Sequence, residues 1–102
     1  MVDIRWSIGA LEDIESISSY ISHDYPEKAR DIVKGIIEKI NQLTQFPKLG
    51  RKFPDRNDER IREIIFKKYR IVYEINEEII EILVIAHGSR LLKYEYHKNC
   101  CR

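Results

Sequence analysis

Apolar residues recur along this chain with two periods, and the switches between them mark out the elements. In VDIRW, Val2, Ile4 and Trp6 alternate with Asp3 and Arg5, which predicts a short first strand. From Ser7 the spacing widens. Ala10, Leu11, Ile14, Ile17 and Ile21 fall on one helical face, with Glu12, Asp13, Glu15 and Ser18 on the other. Ser7 is placed to cap this helix, and acidic residues in its first turns suit the helix dipole. HDYPEKA ends the first helix and opens a second, because Pro26 suits a first helical position. The second helix turns Ala29, Ile32, Val33, Ile36, Ile37, Ile40 and Leu43 inward and stops before Pro47. Two helices joined by so few residues predict an antiparallel hairpin. Gly35 within the second costs about 1 kcal/mol relative to alanine, which a close helix approach would offset.

FPKLGRKFPDRND reads as a loop, punctuated by Pro47, Gly50 and Pro54. Three strands follow, ERIREIIF (59–66), YRIVYEI (69–75) and IIEILVIAH (79–87), separated by Lys67-Lys68 and by Asn76-Glu77-Glu78. A two-residue turn at Glu77-Glu78 pairs Ile75 with Ile80, Tyr73 with Ile82 and Ile71 with Val84. That register buries one sheet face against the helices and leaves Arg70, Val72, Glu74, Glu81, Leu83, Ile85 and His87 on the other. The expected core joins Ile14, Ile17, Ile21, Ile36, Ile40, Ile71, Tyr73, Ile82 and Val84. No repeat, linker or low-complexity segment interrupts the pattern. The order β-α-α-β-β-β therefore predicts one α+β domain over residues 1–102, with an N-terminal strand and a helical hairpin packed on one face of a mainly antiparallel twisted sheet.

Composition narrows the function classes. A 102-residue chain that is 43% hydrophobic and 34% charged can bury one two-layer core but has no room for a separate cofactor domain. Charges at Asp3 and Arg5 break any signal-peptide pattern, and no apolar run reaches membrane length, so a cytoplasmic location and no membrane contact are expected. Cys100 and Cys101 are adjacent and make no disulfide framework, and His97 beside them is a weak zinc set. No metal and no cofactor are expected; the role of the two cysteines stays open. The net charge of +1 hides a polarity. Residues 1–49 hold six Lys/Arg against eight Asp/Glu, while residues 50–102 hold twelve against nine. Residues 51–70 alone carry eight basic and four acidic side chains. This is a local basic surface suited to a polyanion touched at one face.

Arg70 is the residue that asks for a partner. In the expected register it lies opposite Ile85 and diagonal to His87, with Arg62 beside it if Ile61 and Ile65 are the core positions of their strand. Beyond Gly88, which permits a bend or bulge, come Arg90 and, six residues on, Tyr96. Arg62, Arg70, His87, Arg90 and Tyr96 converge on one patch in this scheme. Guanidiniums, an imidazole and a phenol suit phosphodiester cleavage without a metal. Two arginines hold a phosphate and neutralise its transition state, and in RNA the adjacent 2′-OH supplies the nucleophile. His87 then serves as acid or base. The alternative is that Arg70 pairs with Glu74 or Glu81 on a solvated sheet face, His87 is a strand-end residue and Tyr96 packs an edge.

The chain resembles the RelE/ParE superfamily of type II toxin–antitoxin toxins over nearly its whole length. ALEDIESISSYISHDYPEKARDIVKGIIEKINQL is similar to the helical hairpin of ParE-like members and FPKLGRKF to their Pro-x-x-Gly-Arg loop. IREIIFKKYRIVYEINEEIIEILVIAHGSR is similar to their shared strand segments. The resemblance implies a growth-inhibiting, plasmid-stabilising toxin with a cognate antitoxin as partner, and two activities are found in the family. RelE-like toxins are endoribonucleases (mRNA interferases) that cut messenger RNA on the ribosome; ParE-like toxins poison DNA gyrase. Carried over by position, Arg70, Arg90 and Tyr96 match the RelE active site, and His87 resembles a histidine found near it in some relatives. Arg62 and Arg60 lie near that family's basic strand residues, and Lys67 and Lys68 add to the expected substrate-binding set. The helical hairpin and the Gly-Arg loop point instead towards ParE. Ribosome-dependent RNA cleavage is the reading that these residues favour; gyrase poisoning, and a non-toxic binding module of the same fold, are the alternatives.

Overall fold

The change of period at Ser7 is where the chain leaves its first strand. The computed structural model describes residues 2–53 and 58–88. Strand β1 (Asp3–Trp6) leads into α1 (Ile8–Ser22) and α2 (Pro26–Asn41), which a 3-10 turn at Gln42–Thr44 closes. Four more strands follow: β2 (Arg51–Lys52), β3 (Ile61–Phe66), β4 (Tyr69–Asn76) and β5 (Ile79–His87). They form one sheet in the order β1-β5-β4-β3-β2, antiparallel except where β1 runs parallel to β5. The two helices pack on one face of it. This is the expected α+β architecture with one addition: Arg51 and Lys52, read as loop, pair with Glu63 and Arg62 as a short edge strand.

The main core lies between helices and sheet. Ala10, Ile32, Ile36, Ile40 and Leu43 meet Ile64, Ile71, Tyr73, Ile80, Ile82 and Ile85, with Ile14, Ile17 and Ile21 packed against them. Val33 is only half-buried and Ile37 is exposed, so the inward stripe of α2 is narrower than its sequence implies. Gly35 does permit a close approach, but to the sheet. A Cβ there would lie 2.0 Å from the Phe66 ring. Arg60 precedes β3 rather than belonging to it, because the Asp58 carboxylate accepts from its backbone N–H and holds a turn.

Both hairpins turn on two residues whose first member takes a left-handed backbone, Lys67 at φ 55° and Glu77 at φ 52°. That conformation costs an L-residue roughly 1–2 kcal/mol and glycine almost nothing. Glu77→Gly is therefore expected to stabilise the fold by about 1 kcal/mol, raising the melting temperature by roughly 4–8 °C. Thermal unfolding followed by circular dichroism checks this; an unchanged or lower midpoint would contradict the turn geometry.

The register departs from expectation at a single point. Ile75 faces Ile80 and Tyr73 faces Ile82 as anticipated, but a β-bulge at Leu83 then sets Val72 opposite Val84 and Ile71 opposite Ile85. The extra residue reverses the parity of the rest of β5. Ile85 joins the main core, and Val84 leaves it for a second buried cluster on the opposite sheet face with Phe53, Ile61, Val72, Leu83 and Ala86. That opposite face, solvated in the alternative reading of Arg70, is largely apolar. The cause is on α1. Ser7 caps the helix by accepting from the Ala10 N–H at 3.0 Å, and its hydroxyl donates to the Leu83 carbonyl at 3.1 Å. Buried Asp13 accepts from the Ile85 N–H at 3.0 Å. The polar groups displaced by the bulge are thus satisfied by the helix. The first turn of α1 carries no acidic residue, and the role of Asp13 is this bond rather than the helix dipole.

Candidate functional site: a buried glutamate between two arginines

Arg70 points away from the helices, as expected, and finds a carboxylate of its own chain. Strand β3 aligns Glu63 with Val72 and Ile65 with Arg70, so all four side chains share the far face. The Arg70 Nε and Nη2 donate to Glu63 Oε1 at 2.8 and 2.6 Å. From the other side, the Arg51 Nε and Nη2 donate to Glu63 Oε2, both at 2.6 Å. The Glu63 side chain is fully buried, while Arg70 keeps 23% of its side-chain surface and Arg51 keeps 63%. The glutamate is satisfied at both oxygens by charge-assisted bonds, which is what makes its burial tolerable. The acid that holds Arg70 is therefore Glu63, not Glu74 or Glu81, the partners of the alternative reading; those two lie opposite each other across β4 and β5.

Among the described residues, the other expected site residues (His87, Arg62, Arg60, Lys67 and Lys68) do not gather around Arg70. The bulge turns His87 to the helix side, where it is exposed and meets the Tyr69 ring edge-on at 5.7 Å between centroids. Arg62 also faces the helix side, because Glu63 rather than Arg62 shares the face of Ile61 and exposed Ile65. Its Nη1 donates to the Gly50 carbonyl at 2.9 Å. Arg60 forms a two-pronged pair with Asp58 at the chain turn, which raises the guanidinium pKa further. Lys67 and Lys68 stay exposed at the β3–β4 turn, with the Lys67 Nζ 5.8 Å above the Phe66 ring. Arg90, Tyr96, His97, Cys100 and Cys101 lie outside the described residues. Much of the basic excess of residues 51–70 is therefore held by the chain itself. Among the described residues no three His, Cys, Asp or Glu side chains are grouped as metal ligands.

The Pro-x-x-Gly-Arg loop is positioned by Tyr73. Its buried hydroxyl donates to the Pro47 carbonyl at 2.8 Å and accepts from the Gly50 N–H at 2.9 Å. Gly50 is required there, since a Cβ would lie 2.5 Å from the Glu63 carbonyl oxygen and 2.7 Å from the tyrosine oxygen. The loop thus delivers Arg51 to Glu63. Burial raises the Tyr73 pKa above its ordinary 10.0, against smaller lowering effects of the Gly50 N–H and the Arg62 charge. The folded state consequently favours the neutral phenol. This contribution is fully present below about pH 10 and is lost as pH rises through the elevated folded value. Tyr73→Phe leaves the Gly50 N–H and Pro47 carbonyl without their partner and is expected to cost about 1–3 kcal/mol. Urea unfolding at neutral and alkaline pH tests both points: the variant should be weaker, and it should lose the part of the wild type's alkaline destabilisation that Tyr73 causes. Equal stability at neutral pH would contradict the anchoring role.

Sequence reasoning missed Glu63, Arg51 and Asp13. Asp13 was detectable, since it sits three residues after Ala10 and four before Ile17, on the stripe that faces the sheet. Glu63 had a weaker signal, an acid at a strand position where the alternation of IREIIF fits either face.

The comparisons with known proteins agree with this architecture. Residues 4–92 match the model of the ParE toxin of the type II toxin–antitoxin system parDE. Y4kP of Sinorhizobium fredii, whose name proposes a toxin, is 34% identical over 89 residues, covering 85% of this chain and 88% of its own. Among solved structures, the chromosomal ParDE toxin–antitoxin system of P. aeruginosa aligns with a TM-score of 0.72 at 23% identity, over 85% of this chain and 96% of that one. The RelBE2 toxin–antitoxin complex of Mycobacterium tuberculosis aligns at 0.62 and 18% identity, over 84% and 96%. The YoeB dimer of Staphylococcus aureus aligns at 0.61 and 22%, over 84% and 95%. With its helical hairpin, its anchored Gly-Arg loop and a family match over residues 4–92, this chain belongs to the ParE toxin family of type II toxin–antitoxin systems.

Proposed function

We propose that this toxin acts on a protein target, as a ParE-like poison of DNA gyrase, and is silenced by a cognate antitoxin. One observation carries the reading: Arg70 is committed to Glu63 on one sheet face, while His87 lies on the other. Placed on opposite faces of the sheet, Arg70 and His87 do not act together on one phosphodiester. The clamp instead makes Arg70 part of the packing of the far face rather than a group presented to a phosphate. The antitoxin partner is supported by the ParDE and RelBE2 assemblies of the same fold.

Ribosome-dependent RNA cleavage is the second reading, favoured by the open fraction of the Arg70 side chain beside Arg51. Induction in growing cells separates the two. The gyrase reading predicts accumulating DNA breaks that disappear in cells carrying a gyrase insensitive to poisoning, with transcripts intact. Transcripts cut within codons, without gyrase-linked breaks, would overturn it.

A further inference from the structure

A second candidate site lies on the helix side, at the end of the sheet where α1 passes into α2. A cleft of about 670 Å³ opens there, within the size range of small-ligand pockets. Ile21, Ile32 and half-buried Tyr69 line it. Tyr20 and Tyr25 also line it, with 83% and 64% of their surfaces exposed. Lys28 from α2 and Lys67 and Lys68 from the β3–β4 turn supply positive charge, and the Lys28 Nζ lies 6.0 Å from the centre of the Tyr25 ring.

We propose that this cleft binds a nucleoside phosphate. Exposed tyrosine rings stack on a base, and base stacking is tolerant of base identity. Lysines carried on a turn and on a helix meet phosphate oxygens as mobile point charges. Asp24 and Asp31 also line the cleft. They oppose a bare anion but accept hydrogen bonds from sugar hydroxyls and base amines, so the cleft selects a whole nucleoside phosphate over inorganic phosphate. The unit is either a free nucleotide or one residue of a single strand. The site is separate from the Glu63 clamp and does not depend on the gyrase reading.

The test is binding to the purified full chain, by fluorescence anisotropy with a labelled single-stranded DNA oligonucleotide, which lacks the 2′-OH and is not a substrate for RNA cleavage. Tyr20→Ala and Tyr25→Ala alter exposed side chains, so folding is preserved, and each is expected to weaken binding about tenfold. Lys67→Gln with Lys68→Gln should lower the slope of log affinity against log salt by roughly 0.7 for each phosphate that is no longer neutralised. Competition by AMP identifies a free nucleotide as sufficient, and binding of the strand without AMP competition identifies a nucleic-acid strand; inorganic phosphate should not compete in either case. Absence of strand binding together with absence of AMP binding measured directly by equilibrium dialysis, or binding unchanged in all the cleft variants, would overturn the proposal. So would variants that weaken only the antitoxin complex, which would make the cleft a protein-docking surface.

Discussion

Arg70→Ala is expected to destabilise this protein more than Glu63→Ala, although the two remove opposite halves of one ion pair. Breaking a buried pair costs about 3–5 kcal/mol, chiefly from the charge left behind. When Glu63 is removed, Arg70 already has part of its side chain at the surface and Arg51 most of it, so both guanidiniums can turn to water. The loss should fall near the lower limit, about 3 kcal/mol. When Arg70 is removed, the Glu63 carboxylate has no exposed surface and among the described residues keeps only Arg51, a partner that is itself largely solvated. The loss should approach the upper limit, about 5 kcal/mol, comparable with the whole stability of a small domain. Arg51→Ala, removing the more exposed partner, should cost less than either. Urea unfolding of the three variants checks the order; Arg70→Ala at or below the cost of Arg51→Ala would contradict the clamp. Loss of toxicity in Arg70→Ala alone therefore does not identify a phosphate ligand, because the same change can unfold the protein.

The second large effect lies in the main core. Ile36 is fully buried on α2 amid side chains from both helices and the sheet. Ile36→Ala removes apolar area from that packing and leaves a cavity that a close-packed layer cannot fill, at an expected cost of about 2–5 kcal/mol. Ile37→Ala on the neighbouring, exposed position serves as the control and should cost well under half as much. Equal losses at the two positions would contradict the assigned inward face of α2.

How much of this was legible in the sequence differs between elements. Both helices, the three long strands and the first half of the β4–β5 register follow from apolar period and turn position alone. The short β2 strand does not, since two residues carry no period. The bulge at Leu83 was also hidden: ILVIA is apolar on both faces, so nothing in it distinguishes a strict alternation from one with an extra residue. The side chains that bond its backbone, Ser7 and Asp13, lie more than 70 residues away in sequence. That one residue is what moves His87 from the face of Arg70 to the face of Tyr69. Alternation alone puts Arg70 on the correct face and gives it the wrong neighbours. An internal acid is one of the partners the sequence allows, but Glu74 and Glu81 stand out and Glu63 does not. Ile61 and Ile65 read as helix-facing core positions, and Glu63 lies between them on what is in fact the far face.

The most direct test replaces the clamp without leaving a charge behind. Glu63→Leu combined with Arg70→Met exchanges a buried pair for apolar side chains of similar volume, a change that is often neutral or stabilising. The double variant is induced in cells without antitoxin, and growth arrest and gyrase-linked DNA breaks are measured beside its thermal unfolding. The expected outcome is a folded protein that still arrests growth and still produces the breaks. A variant that folds as stably as the parent but no longer arrests growth, while the parent cuts transcripts, would show that Arg70 acts on RNA and would contradict the gyrase reading.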